Sequence, residues 1–216
     1  MINFTFTEIA KMVTVKAILE LSALILAIVN GIMLLRYYLR DRPKLTVHAI
    51  HPETYQWWFV LPGGEFKGKS TRKYGFLAYI GITNKGLRKV SLDSWRLFVR
   101  TVGFKEVELK PISIPEPKSI LGESDNAKFW PVLGQRGVMY EGGTEIDSGG
   151  SIAGMAYYVG EFYGGDVFNP KIMEGKITGK LVIKDVFGKK ANINITFSEK
   201  ALEDVSKIIE GIEKIV

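Results

Sequence analysis

From Ala17 to Leu35 the chain reads AILELSALILAIVNGIMLL, nineteen residues whose only charge is Glu20. A helix rises 1.5 Å per residue, so this run reaches about 28 Å, close to the roughly 30 Å hydrocarbon core of a bilayer. Tyr37 and Tyr38 follow at once, then Arg40, Arg42 and Lys44. Amphipathic rings at head-group depth followed by cations mark the edge of a spanning helix. A buried helix of a soluble core is the competing reading, but such helices hold only about 10–14 apolar residues in a row. A cleaved signal peptide needs small residues in an A-x-A-like pattern after the apolar run. Met33-Leu34-Leu35-Arg36-Tyr37 offers none. The run therefore reads as a retained transmembrane helix over 17–39, preceded by a short N-terminal segment (1–16) and ended by Pro43.

Orientation rests on flanking cations. The N-terminal side carries Lys11 and Lys16, the C-terminal side Arg36, Arg40, Arg42 and Lys44. The positive-inside rule places the richer side in the cytoplasm, so the rest of the chain is expected there. The helix also has a face. Lys16, Glu20, Ala23, Ala27, Asn30 and Gly31 project within one arc at 100° per residue. Ala23, Ala27 and Gly31 form a small-xxx-small series that lets a second helix approach, with Asn30 beside it. These four residues are the candidate helix-association site, for a second copy or another membrane protein. The bland reading is that Lys16 and Glu20 lie at the interface and snorkel.

After Pro43 the hydrophobic period changes to two, the mark of strands with one buried face. Leu181, Ile183 and Phe187 are expected on one side, joined after a turn at Gly188-Lys189-Lys190 by Ile193, Ile195 and Phe197: a hairpin. Tyr74–Thr83 is a second strand, with Phe76, Ala78, Ile80 and Ile82 on one side. Asn84-Lys85-Gly86 turns the chain, Lys89–Leu92 starts the return, and Trp95–Val102 is a further strand. Leu45–Ile50, Gln56–Val60 and Ile152–Val159 complete a set of seven or more. The stretch from Pro111 to Gly150 reads as long loops. Many short strands without interleaved helices imply a mainly β domain over 44–198, an Ig-like sandwich, with a small closed barrel as the alternative. Leu202, Val205, Ile208, Ile209, Ile212 and Ile215 then recur at three and four, predicting a C-terminal amphipathic helix over 199–216 capped by Ser198.

The order of elements, with Arg36-Tyr-Tyr-Leu-Arg40-Asp-Arg42-Pro43 at the exit and Tyr74-Gly-Phe-Leu-Ala-Tyr-Ile-Gly-Ile-Thr-Asn84-Lys-Gly86-Leu-Arg-Lys-Val90 behind it, resembles a broad group. These are uncharacterised single-pass, membrane-anchored prokaryotic proteins with an Ig-like β-sandwich. The residue usage resembles that of hyperthermophilic archaea or their viruses: two glutamines, no cysteine, abundant Lys and Glu. The resemblance covers about a third of the chain and implies no functional residue.

Chemistry leaves little trace. Without cysteine there are no disulfides, thiolate metal sites or cysteine nucleophiles. The only histidines, His48 and His51, project to opposite faces of a strand; in a loop they would need Glu53 as a third ligand. No G-x-S-x-G elbow occurs. The paired glycines at 63–64, 142–143, 149–150 and 164–165 lack the Lys-Ser/Thr of a phosphate loop. Carboxylate pairs at Glu123/Asp125 and Glu145/Asp147 sit in loops, where acids are usually solvated. No catalytic residue, cofactor or metal is therefore assigned.

The net charge of +6 is uneven: residues 1–110 carry 17 basic and 8 acidic side chains, residues 111–216 carry 12 and 15. No nucleic-acid motif accompanies the basic half, and attraction to anionic head groups explains its place beside the anchor. Lys67, Lys69, Arg72 and Lys73, with Arg36, Arg40, Arg42 and Lys44, are the candidate membrane-surface residues. Trp57-Trp58-Phe59 and Tyr157-Tyr158 with Phe162-Tyr163 are aromatic-dense. In an alternating strand either Trp57 or Trp58 faces outward, as an interface anchor or sugar platform, unless the 111–150 loops cover it. Asn3-Phe4-Thr5 and Asn194-Ile195-Thr196 match the N-glycosylation sequon, which argues for an outward domain. The expected function is a non-enzymatic single-pass membrane protein whose β-domain binds a protein partner or scaffolds an assembly at the bilayer surface. The alternative is a structural protein of a virus or cell envelope with the domain outside.

Overall fold

The apolar run lies inside one helix, α1 (Phe6–Arg40), 35 residues long. The computed structural model describes residues 6–66, 68–103, 105–112, 145–162, 168–209 and 211–214. Several features named above lie outside them: Lys67, most of the 111–150 stretch, Asn3-Phe4-Thr5, Glu123, Asp125, the glycines at 142–143 and 164–165, Tyr163 and Ile215. The chain forms two compact units, Met1–Arg42 and Pro43–Val216.

In the first unit the apolar span runs Thr14–Arg40, 27 residues with none of its side chains buried. That is about 40 Å of helix, more than a hydrocarbon core needs. The helix starts eleven residues before the predicted Ala17, because nothing between Phe6 and Lys16 is Gly or Pro and the turns propagate. Lys16 and Glu20, 3.9 Å apart at i and i+4, form an exposed ion pair on its near-terminal part.

The second unit is mainly β. Its strands are β1 (Leu45–Ala49), β2 (Gln56–Leu61), β3 (Glu65–Phe66), β4 (Lys69–Ser70), β5 (Arg72–Asn84), β6 (Val90–Arg100) and β7 (Glu106–Leu109). They continue with β8 (Pro111–Ile112), β9 (Glu145–Ile146), β10 (Ser151–Phe162), β11 (Ile172–Met173), β12 (Lys176–Asp185) and β13 (Lys190–Glu199), then a short helix α2 (Leu202–Ile208) and a 3-10 turn at Ile212–Lys214. A single sheet runs β7-β6-β12-β13-β2-β5-β10-β8. Its two ends meet, since β8 lies near β6 and β7 near β10. The result is barrel-like, where the strand pattern favoured two facing sheets. Long strands explain the difference: β5 and β10 pair without interruption from Thr83↔Ser151 to Arg72↔Phe162. Twist accumulated over such lengths coils the sheet back on itself.

Both β1 and β2 pair with the same edge of β5, as one strand broken in the middle: Leu45↔Asn84 to Ala49↔Ile80, then Gln56↔Ala78 to Leu61↔Lys73. Gln56 spans the break. Its Nε2 donates to Ile50 O at 3.0 Å and Tyr79 O at 2.9 Å, and its Oε1 accepts from Tyr79 N at 3.1 Å. A buried amide thus supplies bonds that the missing ladder residue would have made. Each polar group left bare there would cost about 1–3 kcal/mol.

The core has two parts, one on each side of β2, β5 and β10. Phe76, Ala78, Ile80 and Ile82 face Trp95, Leu97, Val99, Leu181, Ile183, Ile195 and Phe197 inside the barrel, as the period-two reading predicts. Trp57, Phe59, Leu77, Met155 and Tyr157 point the other way and are covered by Val205, Ile209 and Ile212. Strands buried on both faces read as continuous apolar runs instead of alternating ones, and Gln56–Leu61, QWWFVL, is such a run. Both Trp57 and Trp58 are therefore buried. The reading in which one of them stands exposed does not hold; Trp57 is covered, and α2 forms part of the cover. Gly75 makes the outer layer fit, because a Cβ there would overlap the ring of Phe59.

Three further expectations change. The C-terminal helix is only seven residues, begins after Ala201 without a side-chain cap, and leaves Ser198 inside β13. Gly211, at φ +80°, breaks the helical path, and the 3-10 turn returns Ile212 to the core. The stretches predicted over 89–92 and 95–102 fall for the most part in one strand, β6, which runs from Val90 to Arg100. Phe187 does not continue the inward row of Leu181 and Ile183; it stands in the turn, 66% exposed.

Candidate functional site

The four residues of the small-residue stripe, Ala23, Ala27, Asn30 and Gly31, are exposed on α1, and a Cβ on Gly31 would meet nothing. At the helix end the cations lie over aromatic rings: Arg40 is 5.9 Å from the Tyr37 centroid and Arg42 4.5 Å from that of Tyr38. Guanidinium over a tyrosine face suits the head-group layer, where one side is apolar and the other wet. Arg36 is exposed one turn earlier.

The end of the β-domain that receives the chain is organised by two buried polar residues. Asn84, fully buried, donates from Nδ2 to the carbonyls of Arg88 (2.6 Å), Ile146 (3.3 Å) and Asp147 (3.3 Å). Its Oδ1 accepts from Gly86 N at 3.0 Å and Lys44 N at 3.4 Å. One side chain thus ties the first residues of the domain to the 85–89 loop and to the segment after β9. Asp185, also buried, accepts from Phe187 N and Lys189 N at Oδ1, 2.9 and 2.8 Å. That fixes the β12–β13 turn, in which Gly188 adopts φ +83°. Lys189 Nζ in turn donates to Pro43 O at 3.2 Å. Around this frame stand Lys44, Lys85, Arg88, Lys89, Lys189 and Lys190, all exposed. Lys89 pairs with Glu145, whose hydrogen bond raises the lysine pKa above its ordinary value. Asn84 was legible only as a turn residue and Asp185 not at all; the one signal was the tendency of Asx side chains to bond backbone two residues on.

The predicted membrane-surface lysines do not form one patch. Arg72 and Lys73 begin β5, whereas Lys44 pairs beside its last residue, Asn84. Eleven residues of strand separate Lys73 from Asn84, about 35 Å. Lys73 is also mostly covered, paired with Glu161 at 3.3 Å. Lys69 lies in β4, next to the same distant end of β5.

A shallow groove of about 490 Å³ crosses the outer face of β6, β12 and β13. Arg100, Lys171, Lys176 and Lys180 line it against one carboxylate, Glu106, with Thr178, Asn194 and Thr196 between them. Asn194, the described sequon residue, is exposed there. Of the histidines, His48 packs against Gly81 and His51 lies edge-on to Tyr55. Among the described residues no group of three His, Asp or Glu side chains is placed to hold a metal ion. The remaining shifted groups are structural. Burial pushes the Tyr157 and Tyr158 hydroxyls far above the usual phenol range, and a hydrogen bond from Lys207 holds Asp204 below the usual carboxylate range.

No family model and no curated protein matches this chain. Among solved structures, a target of the Northeast Structural Genomics Consortium is similar at 12% identity, over 74% of this chain and 89% of that one, with a TM-score of 0.32. A protein from Bordetella pertussis provisionally assigned as ApaA is similar at 11% identity, over 74% and 96%, with a TM-score of 0.31. Likeness at this level carries no argument about fold or function.

Proposed function

We propose that this is a non-enzymatic single-pass membrane protein whose barrel-like domain binds a partner, or holds an assembly together, at the bilayer surface. One observation carries the reading. A 27-residue apolar span with no buried side chain is joined directly to a domain that has its own two-part core. A helix satisfies its backbone internally, so lipid can take the place of the missing protein partner. Among the described residues, the buried Gln56, Thr71, Asn84, Thr101 and Asp185 each bond main-chain groups. What the domain offers outward is the basic groove on β6, β12 and β13, suited to acidic groups of a partner protein. The flanking arginines favour a cytoplasmic position.

Extraction at alkaline pH and site-directed crosslinking test the two halves separately. The intact chain should stay with the membrane pellet, and its release to the supernatant would remove the anchor. A photo-crosslinking residue at Asn194 should give a discrete protein adduct, one at Glu203 on α2 should not, and Lys176→Glu with Lys180→Glu should abolish the first. Adducts indifferent to those lysines would remove the groove.

A further inference from the structure

We propose that the loop end of the β-domain around Pro43 docks onto the same bilayer that holds α1. Leu87, Val186 and Phe187 enter the interface, and Lys44, Lys85 and Lys190 meet anionic head groups. The inference rests on the reading of α1 as a membrane span and adds to it a fixed seat for the domain.

Three observations converge on that end. The first is exposed apolar surface where loops are expected to be polar. Leu87 is 47% exposed, Val186 53% and Phe187 66%. Phe187 follows the inward-facing alternation of Leu181 and Ile183 in sequence, yet it is held out of the core by structure: Asp185 takes the inward place and bonds the backbone N–H of Phe187. Hydrogen bonds hold the turn: Lys189 N donates to Asp185 Oδ1 at 2.8 Å and Gly188 N to Asp185 O at 2.9 Å. A preformed apolar tip loses little conformational freedom on insertion.

The second observation is charge. Lys44, Lys85 and Lys190 are exposed on the same end as the apolar tips. The loops belong together because Lys85 N donates to Lys44 O at 2.8 Å and Lys189 Nζ reaches Pro43 O at 3.2 Å. Apolar tips ringed by cations match an interface whose acyl boundary lies beneath anionic head groups.

The third is covalent reach. Only Asp41 and Arg42 separate the last helical residue from Pro43. From Arg40 to Pro43 is three residue steps, at most about 11 Å. Lys44 therefore follows Tyr37, Tyr38 and Arg40 within a few residues of chain. An apolar turn elsewhere on the domain would have no such tether.

The absence of cysteine from the sequence gives a clean test. Single variants Phe187→Cys, Met173→Cys and Leu26→Cys of the full chain would each carry an environment-sensitive fluorophore, in vesicles of phosphatidylcholine with phosphatidylglycerol. Met173 is 62% exposed and lies at the opposite end of β12, so it controls for the apolarity of the dye itself. The expected result is a blue shift and strong quenching by shallow spin-labelled lipid at Phe187, deep quenching at Leu26, and neither at Met173. Lys44→Gln, Lys85→Gln and Lys190→Gln should each lower the docked population ratio about fivefold. Equal, water-like signals at Phe187 and Met173 with Leu26 still quenched would overturn the docking and leave the anchor intact. An unquenched Leu26 would overturn the anchor and the docking with it.

Discussion

α1 and β5 are both apolar segments, and the molecule treats them in opposite ways. Phe76, Leu77, Ala78, Ile80 and Ile82 of β5 are at most 1% exposed, while Leu19, Leu26 and Leu34 of α1 stand 62–69% exposed. The backbone makes the difference. A strand leaves its N–H and C=O groups to neighbours, so β5 draws β1, β2 and β10 around itself and its side chains are covered on both faces. A helix closes its hydrogen bonds within itself and needs no protein neighbour if the surroundings are apolar. Equal hydrophobicity thus leads to a core in one region and to an exposed apolar surface in the other.

The comparison is tested most severely by truncating one large side chain on each side of it. Trp58 is 3% exposed and donates from Nε1 to Gly175 O at 2.9 Å. Trp58→Ala should destabilise the β-domain by about 3–5 kcal/mol in denaturant unfolding, while Leu26→Ala should leave the same transition where it is. A shift of comparable size from Leu26→Ala would mean that α1 contributes to the domain's core.

pH sharpens the buried side. Tyr158 is fully buried and bonds Trp95 O at 3.4 Å, and burial raises its pKa far above the usual value. Its stabilising share is complete below the unfolded pKa, about 10. Above that, the unfolded chain releases the proton and the folded chain keeps it, so stability falls with rising pH by about 1.4 kcal/mol per unit. Tyr158→Phe should lower the alkaline slope, measured by unfolding, by about 1.4 kcal/mol per unit and leave the share of Tyr157, which burial also raises; an unchanged slope would mean that the Tyr158 hydroxyl titrates freely.

The smallest expected effect concerns the exposed apolar helix. If α1 has any protein contact, the small-residue stripe is where a second helix approaches closest. Gly31→Leu should weaken self-association by about 0.6–2 kcal/mol, read by energy transfer between labelled copies in bilayers, and Ile25→Leu should not. Equal transfer in both would mean that the stripe makes no helix contact.

Local chemistry settled much of this protein in advance. Nineteen nearly uncharged residues followed by Tyr37, Tyr38 and Arg40 announce a helix long and apolar enough to cross a membrane, because length and flanks are local properties. The β12–β13 hairpin is legible because period two and a Gly-centred turn are local as well. Long-range geometry was not legible. Which faces of β2 are covered depends on α2, which follows far along the chain, so the sequence left open whether Trp57 or Trp58 is exposed and what covers it. The full pairing of β5 with β10, joined across 66 residues, turned the expected sandwich into a barrel-like sheet. The two basic groups look adjacent to one membrane surface only in sequence, because β5 carries Lys73 and Asn84 to opposite ends. Phe187 fits the inward pattern by count, and Asp185 takes its place because a buried carboxylate that bonds two turn amides fixes the turn with the phenylalanine outside. Period reports which side of a strand a residue occupies; only the assembled neighbours decide whether that side is core, partner or lipid.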